Sequence, residues 1–241
     1  MTENLHTTNT GSAYKQRSLF GRRQGRALRG ERSRVLEEVL PQITPYEELL
    51  SEDHSHAPAS YFRDKFDKYV LEIGFGHGER LAEHAQNEQN TGFLGAEPFV
   101  NGMSAFLKDI EDQDKKNLRV LMDDGMIIAR SLQPNSLDAI YVLNPDPWHK
   151  KRHHKRRLIN QKTLDIFAKI LKPRGKLIMT TDVPYLAEWM CSHAIIHPDF
   201  TWTAESHQSW EQAPQNWIST KYEQKGAKGA KKMVYLIFEK T

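Results

Sequence analysis

The stretch NPDPWHKKRHHKRR at residues 144–157 sets a carboxylate directly before a dense block of positive charge. Pro145 and Pro147 fix their own φ and keep the residue before each of them out of the helical region, so Asp146 is held extended between them. Residues 149–157 then hold six Lys or Arg and three His with no acid. Such a block repels itself and attracts polyanions. The expected chemistry is a positioned acid, Asp146, beside a phosphate-binding strip that includes Lys151, Arg152, Lys155, Arg156 and Arg157. Trp148 has two readings, a platform for a base or a side chain packed on a strand. His149, His153 and His154 do not suggest a metal site, because their spacing and the six neighbouring cations oppose a divalent ion.

A second constellation lies upstream, where Glu72-Ile-Gly-Phe-Gly-His-Gly78 precedes a helical pattern. Gly74, Gly76 and Gly78 allow a tight turn and let the backbone pass close to a small molecule at the carboxyl end of a strand. Glu97 follows Gly74 by 23 residues, the usual distance to a ribose-binding carboxylate in a β-α-β nucleotide unit. Asp124, after the next strand, could accept hydrogens from the amine of adenine, and the neighbouring Asp123 is a weaker choice. A dinucleotide site calls for a third glycine at position 79, where this chain has Glu79, an acid that opposes pyrophosphate at a helix N-terminus. An acid-lined pocket of Glu72, Glu97 and Asp124 instead suits S-adenosylmethionine, which has the ribose and adenine but carries a sulfonium cation and no phosphate.

These residues need a scaffold that brings strand ends together. From residue 68 onward, short apolar runs alternate with amphipathic segments, the pattern of a parallel sheet flanked by helices. Strands are expected at 69–73, 92–97, 118–122, 138–143, 176–181 and 233–239, with a weaker one near 200–205. Helices are expected at 78–89, 100–110, 126–132, 161–171 and 185–193, and a short one at 35–40. The fold class is thus α/β: about seven mostly parallel strands, helices on both faces and an antiparallel last strand. Residues 1–34 read as a flexible basic arm whose first 14 residues are disordered, 35–67 as a short helix and linker, and 68–241 as the catalytic domain.

Composition narrows the class. The net charge is only +3, but residues 15–34 carry eight Lys or Arg against Glu31 alone. With the 14 bases and one acid of the two basic segments set aside, the rest holds 20 bases against 30 acids. Two basic patches on an acidic body fit a nucleic-acid partner better than a membrane surface. The apolar runs are too short to span a bilayer, residues 1–12 have no signal-peptide core, and the single Cys191 fits a reducing cytoplasm.

Taken together, Glu72-Ile-Gly-Phe-Gly-x-Gly, Asn117-Leu-Arg-Val with Asp124, Pro145-Asp-Pro-Trp-His-Lys-Lys-Arg-His-x-Lys-Arg-Arg, Thr180-Thr-Asp182 and Thr220-Lys-Tyr-Glu223 resemble the bacterial tRNA (guanine-N7-)-methyltransferases. The resemblance runs from about residue 17 to 239. It implies a Rossmann-like class I methyltransferase fold and methylation of guanosine 46 in the tRNA variable loop. By motif position it implies Glu72, Glu97, Asp124 and Asp146 on S-adenosylmethionine, Asp146 also being catalytic. Lys150, Asp182, Thr220, Lys221, Tyr222 and Glu223 would contact the substrate. Leu143-Asn144 stands where the family has two aromatic or apolar residues, and a Lys-rich 225–232 segment replaces a Gly/His/Arg-rich loop. Two other readings stay open: an amino-group methyltransferase, to which Asn144-Pro145 has some likeness, and a non-catalytic RNA-binding module. Monomer and homodimer are both compatible with the sequence.

Overall fold

A strand covered on both faces needs apolar or small residues at every position, and TGFLGA at Thr91–Ala96 is such a run, with all six residues buried. It is the second strand of a seven-stranded sheet in the computed structural model, which describes residues 20–51, 56–228 and 232–241. The strands are β1 (Lys68–Ile73), β2 (Thr91–Ala96), β3 (Leu118–Leu121), β4 (Leu137–Leu143), β5 (Leu171–Thr181), β6 (Phe200–Trp202) and β7 (Val234–Lys240). Their order is β3-β2-β1-β4-β5-β7-β6; β1 to β5 are parallel, and β7 is antiparallel to both its neighbours. This is the fold class expected above. The chain order reverses between β1 and β4, which opens a crevice at the carboxyl ends of these strands.

Alternation along the strands feeds two cores. Phe93 and Val120 pack with α1 (Glu31–Glu38), α2 (Leu40–Ile43), α3 (Glu79–Asn87) and α4 (Val100–Asp109), around Val35, Leu81 and Phe106. Leu71, Ile73 and Leu94 point the other way, toward α5 (Gly125–Ser131), α6 (Gln161–Ile170) and α7 (Pro184–Ile195), around Ile128, Phe167 and Met190. The helix starts follow local chemistry. Asp124 caps α5 by accepting from the Met126 N–H, and Asn160 and Thr163 form a reciprocal capping box at α6. Gly78 precedes α3 in the left-handed region at φ 69°, and a β-carbon there would lie 2.3 Å from the buried Phe106 ring.

Several boundaries differ from the sequence expectation. Helix α1 begins at Glu31, inside the segment read as an arm, because Arg34 pairs with Glu111 and Glu31 with Lys108 on α4. The segment read as linker has 3-10 turns at Glu47–Leu50 and Pro58–Tyr61, and the Tyr61 hydroxyl ties it to Leu49 and to Ser131 of α5. Strand β5 starts at Leu171 rather than 176, continuing directly from α6 through Pro173, Arg174 at φ 64° and Gly175. Two short helices, α8 (Gln208–Glu211) and α9 (Lys221–Lys228), were not expected. The disorder expected for residues 1–14 falls outside the described residues.

Candidate active site

The crevice at the ends of β1, β2 and β4 holds a cavity of about 490 Å³, within the usual size for small-molecule sites. Ile73, Gly74, Glu97, Asp124, Asn144 and Asp146 all line it. Three acids expected at the site, from three different strand ends, are therefore brought to one wall. Gly74 has φ 74° and nothing within 4 Å of where a β-carbon would stand, so the bare backbone faces open space.

Glu97 fixes the glycine loop. Its carboxylate accepts the Gly76 N–H at 2.7 Å and the Phe99 N–H at 2.7 Å, tying the loop to the end of β2. Burial pushes its carboxyl above the usual carboxylate range, the two backbone donors oppose that, and the charge of Asp146 adds to it. Gly76 and Gly78 shape this turn, at φ 61° and 69°, without lining the cavity.

Asp146 lies in the irregular segment between Pro145 and Pro147, and among the described residues no hydrogen bond or ion pair engages its carboxylate. Although part of it is open to solvent, the protein packed around it disfavours the charged form and raises its carboxyl. Positive φ at Asn144 (48°) and Trp148 (47°) brackets the turn. For a tryptophan that conformation costs on the order of 1–3 kcal/mol, which the fold supports by packing. Phe20 and His153 meet the Trp148 ring edge-on at 6.3 and 5.9 Å, and the Arg156 guanidinium lies over it at 5.1 Å. Trp148 lines the cavity, so of its two readings the wall of a base-sized space is the one the geometry matches.

The remaining expected residues divide into three groups. Lys150, Lys151, Arg152 and Lys155 are exposed at or on the 3-10 turn Lys151–Arg156, forming a cationic rim. Arg156 and Arg157 depart from the strip read in the sequence. Arg156 turns into the cavity wall, over Phe20 and Trp148. Arg157 is 4 % exposed and donates from Nε to the Pro147 carbonyl at 2.9 Å, so it closes the loop on itself. Charge composition alone did not distinguish the inward side chains from the outward ones.

Glu72 also lies apart from the cavity lining. It alternates with Ile73 on β1, so its side chain takes the opposite face, where it is buried 3.3 Å from Arg80 Nη1 of α3. Burial raises its carboxyl, with Arg80 opposing. The Arg80 guanidinium is stacked 3.7 Å over Tyr141 and 5.0 Å from the Trp217 ring. Glu223 joins the same buried region: it accepts from Trp217 Nε1 at 3.1 Å and from the Thr220 N–H at 3.2 Å, while its own N–H donates to Thr220 Oγ1. Thr220 and Glu223 thereby cap α9. Lys221 pairs with Glu79 and Asp109, and the Tyr222 hydroxyl donates to the buried Asp182 at 3.2 Å. Among the described residues, Asp182 and 220–223 thus form a neighbouring cluster rather than cavity wall.

Phe20, Gly21, Arg22 and Arg23 were missed as cavity residues. They are held because Val100 N–H donates to the Arg23 carbonyl, and Asn101 takes the Gly25 N–H and gives a hydrogen to the Arg26 carbonyl. A β-carbon at Gly21 would stand 3.3 Å from Asp146 Oδ2. Contacts that join residues some 75 apart have no local sequence signal. Among the described residues no cluster of His, Cys, Asp or Glu is placed to hold a metal ion, and no helix is long and apolar enough to cross a membrane.

Comparison with known proteins agrees with this architecture. Residues 67–236 match a family model described as a putative methyltransferase. A tRNA (guanine-N(7)-)-methyltransferase of Brucella anthropi is 37 % identical over 224 residues, covering 92 % of this chain and 94 % of the relative. One from Rhizobium meliloti is 38 % identical over 238 residues, covering 97 % of this chain and all of the relative. Among solved structures, the 16S rRNA methyltransferase KamB aligns with a TM-score of 0.50 at 15 % identity, over 73 % of this chain and 90 % of that one, a likeness of fold.

Proposed function

Because this chain belongs to the tRNA (guanine-N7-)-methyltransferase family, we propose that it transfers a methyl group from S-adenosylmethionine to N7 of guanosine 46 in the tRNA variable loop. The single observation that carries the reading is the Asp146 carboxylate, without a hydrogen-bond or ion-pair partner among the described residues, at the wall of a cavity that Glu97, Asp124 and the bare backbone of Gly74 also line.

The cavity residues fit the donor. Acids with unused lone pairs suit ribose hydroxyls, an adenine amine and a sulfonium, whereas a pyrophosphate would be repelled. S-adenosylmethionine supplies a methyl group on positively charged sulfur. Glu97 would hold the ribose, Asp124 the base, and Gly74 would let the ligand lie against the backbone.

Guanine N7 has a lone pair and no proton, so the site needs no general base. Its work is to place N7 in line with the methyl carbon and exclude water. Asp146 would accept from the N1–H and N2 amino edge of guanine and offset the positive charge that forms on the ring. The exposed Lys150, Lys151, Arg152 and Lys155 would meet tRNA phosphates. The Asp182 and 220–223 cluster would border the acceptor from the neighbouring side. Mass spectrometry of nucleosides and of nuclease fragments from tRNA incubated with the protein and S-adenosylmethionine tests the assignment: N7-methylguanosine is expected in the first and its place at position 46 in the second, and its absence with folded, cofactor-binding protein overturns it.

One observation favours a second reading. Among the described residues Asn144 Oδ1 is buried without a partner beside the cavity, and an amide acceptor there suits an exocyclic amine. Methylation of such an amine would give N6-methyladenosine in the same experiment.

A further inference from the structure

A groove of about 470 Å³ lies beyond the first cavity, between the outer face of α7 and the 148–157 loop. Its walls are rings. The His193 imidazole is stacked on Trp189 at 4.2 Å, His154 meets Trp189 edge-on at 5.6 Å, and His149 meets Tyr185 at 5.5 Å. Trp189 is fixed by its Nε1 donating to the Ile159 carbonyl at 2.7 Å. Tyr185 is 39 % exposed, leaving a ring face available. The Arg157 guanidinium lies 4.7 Å from the Trp189 ring and 5.4 Å from that of Tyr185. Glu188 is the sole acid among the described lining residues.

The loop places consecutive residues in different spaces. Trp148 and Arg156 line the first cavity, while their chain neighbours His149 and Arg157 line the groove. One wall therefore separates two aromatic, cationic spaces, each with a tryptophan and an arginine. Two adjoining spaces of this kind suit a polymer that holds one planar base in each.

We infer that this groove is a stacking subsite for the nucleotide adjoining the methylated guanine. Base faces would lie on Tyr185 and the Trp189–His193 pair, and the exposed Lys150, Lys151, Arg152 and Lys155 of the same loop suit the polyanionic strand. The inference rests on the proposed RNA substrate, and its test separates the two.

Steady-state methylation of unmodified tRNA by Tyr185→Ala is expected to show KM for tRNA raised roughly 5-fold or more, as loss of one base–aromatic stack implies. KM for S-adenosylmethionine should move by less than about twofold. Tyr185→Phe, which keeps the ring and removes only the hydroxyl bonded to His149, should restore the tRNA KM. An unchanged KM in Tyr185→Ala, or equal losses in both variants, overturns stacking. A binding readout is independent of catalysis: 2-aminopurine placed in turn on each side of the target guanine should be quenched on one side by the wild-type protein and regain fluorescence with Tyr185→Ala. Quenching without N7-methylguanosine would keep the subsite and remove the reaction assignment. Methylation with no quenching at either neighbour would do the reverse.

Discussion

The role proposed for Asp146 rests on its carboxylate being unengaged among the described residues. Each oxygen of Glu97 already accepts one backbone N–H and Glu72 faces Arg80, whereas among the described residues the Asp146 carboxylate has no such partner at the cavity. If it supplies a few kcal/mol of transition-state stabilisation, Asp146→Ala should lower kcat by roughly 10²-fold or more. Asp146→Asn keeps one acceptor but not the charge, and should recover only part of this. Single-turnover methyl transfer measures both, and a rate for Asp146→Ala within a few-fold of wild type would sink the assignment.

Two elements carry predictions of their own. At the start of α3, a β-carbon on Gly78 would enter the Phe106 ring and occupy a left-handed conformation. Gly78→Ala should therefore cost at least about 2 kcal/mol, the combined penalty of that conformation and of overpacking a closed core. Urea unfolding reads it directly; a midpoint equal to wild type would mean that Phe106 has room to move. On the 144–157 loop, the outward cations separate from the inward ones. Replacing Lys150, Lys151, Arg152 and Lys155 together should reduce the slope of log affinity for tRNA against log salt by up to about four units. Changing Arg157 should instead disturb the loop's shape. If the fourfold variant keeps the wild-type slope, phosphate contact lies elsewhere.

For the molecule as a whole, the acids buried around the sheet set a pH dependence. Burial raises the carboxyls of Glu72, Glu97 and Glu223, so each binds its proton more tightly folded than unfolded. Their contribution to stability is fully present below the ordinary carboxylate pKa and is lost as pH rises through the raised folded values. Glu72→Gln removes one of these charges while keeping an acceptor for Arg80, and should flatten the decline of unfolding free energy as pH rises above the ordinary carboxylate range. Equal slopes for variant and wild type would show that Glu72 is not titrating there.

How much was legible in advance follows the range of the forces involved. Strand runs, glycine turns and the prolines around Asp146 act within a few residues, so the sheet, the cavity loop and three of its acids could be read from spacing. The face taken by Glu72, the inward turn of Arg156 and Arg157, and the docking of Phe20–Arg23 on Asn101 depend on partners far along the chain. Arg80 left one trace, a charged residue on the apolar face of an amphipathic helix, but not the identity of its partners.

The bond from Arg157 to the Pro147 carbonyl makes the intervening nine residues a closed ring whose base is locked and whose rim faces outward. Such a layout separates two kinds of inheritance. If the rim cations meet RNA phosphates as proposed, substitutions there would retune how tightly RNA is held while leaving the backbone around Asp146 in place. On that proposal a lineage would change its clientele gradually through the rim, whereas a change at Arg157 would alter the shape of the loop that carries Asp146.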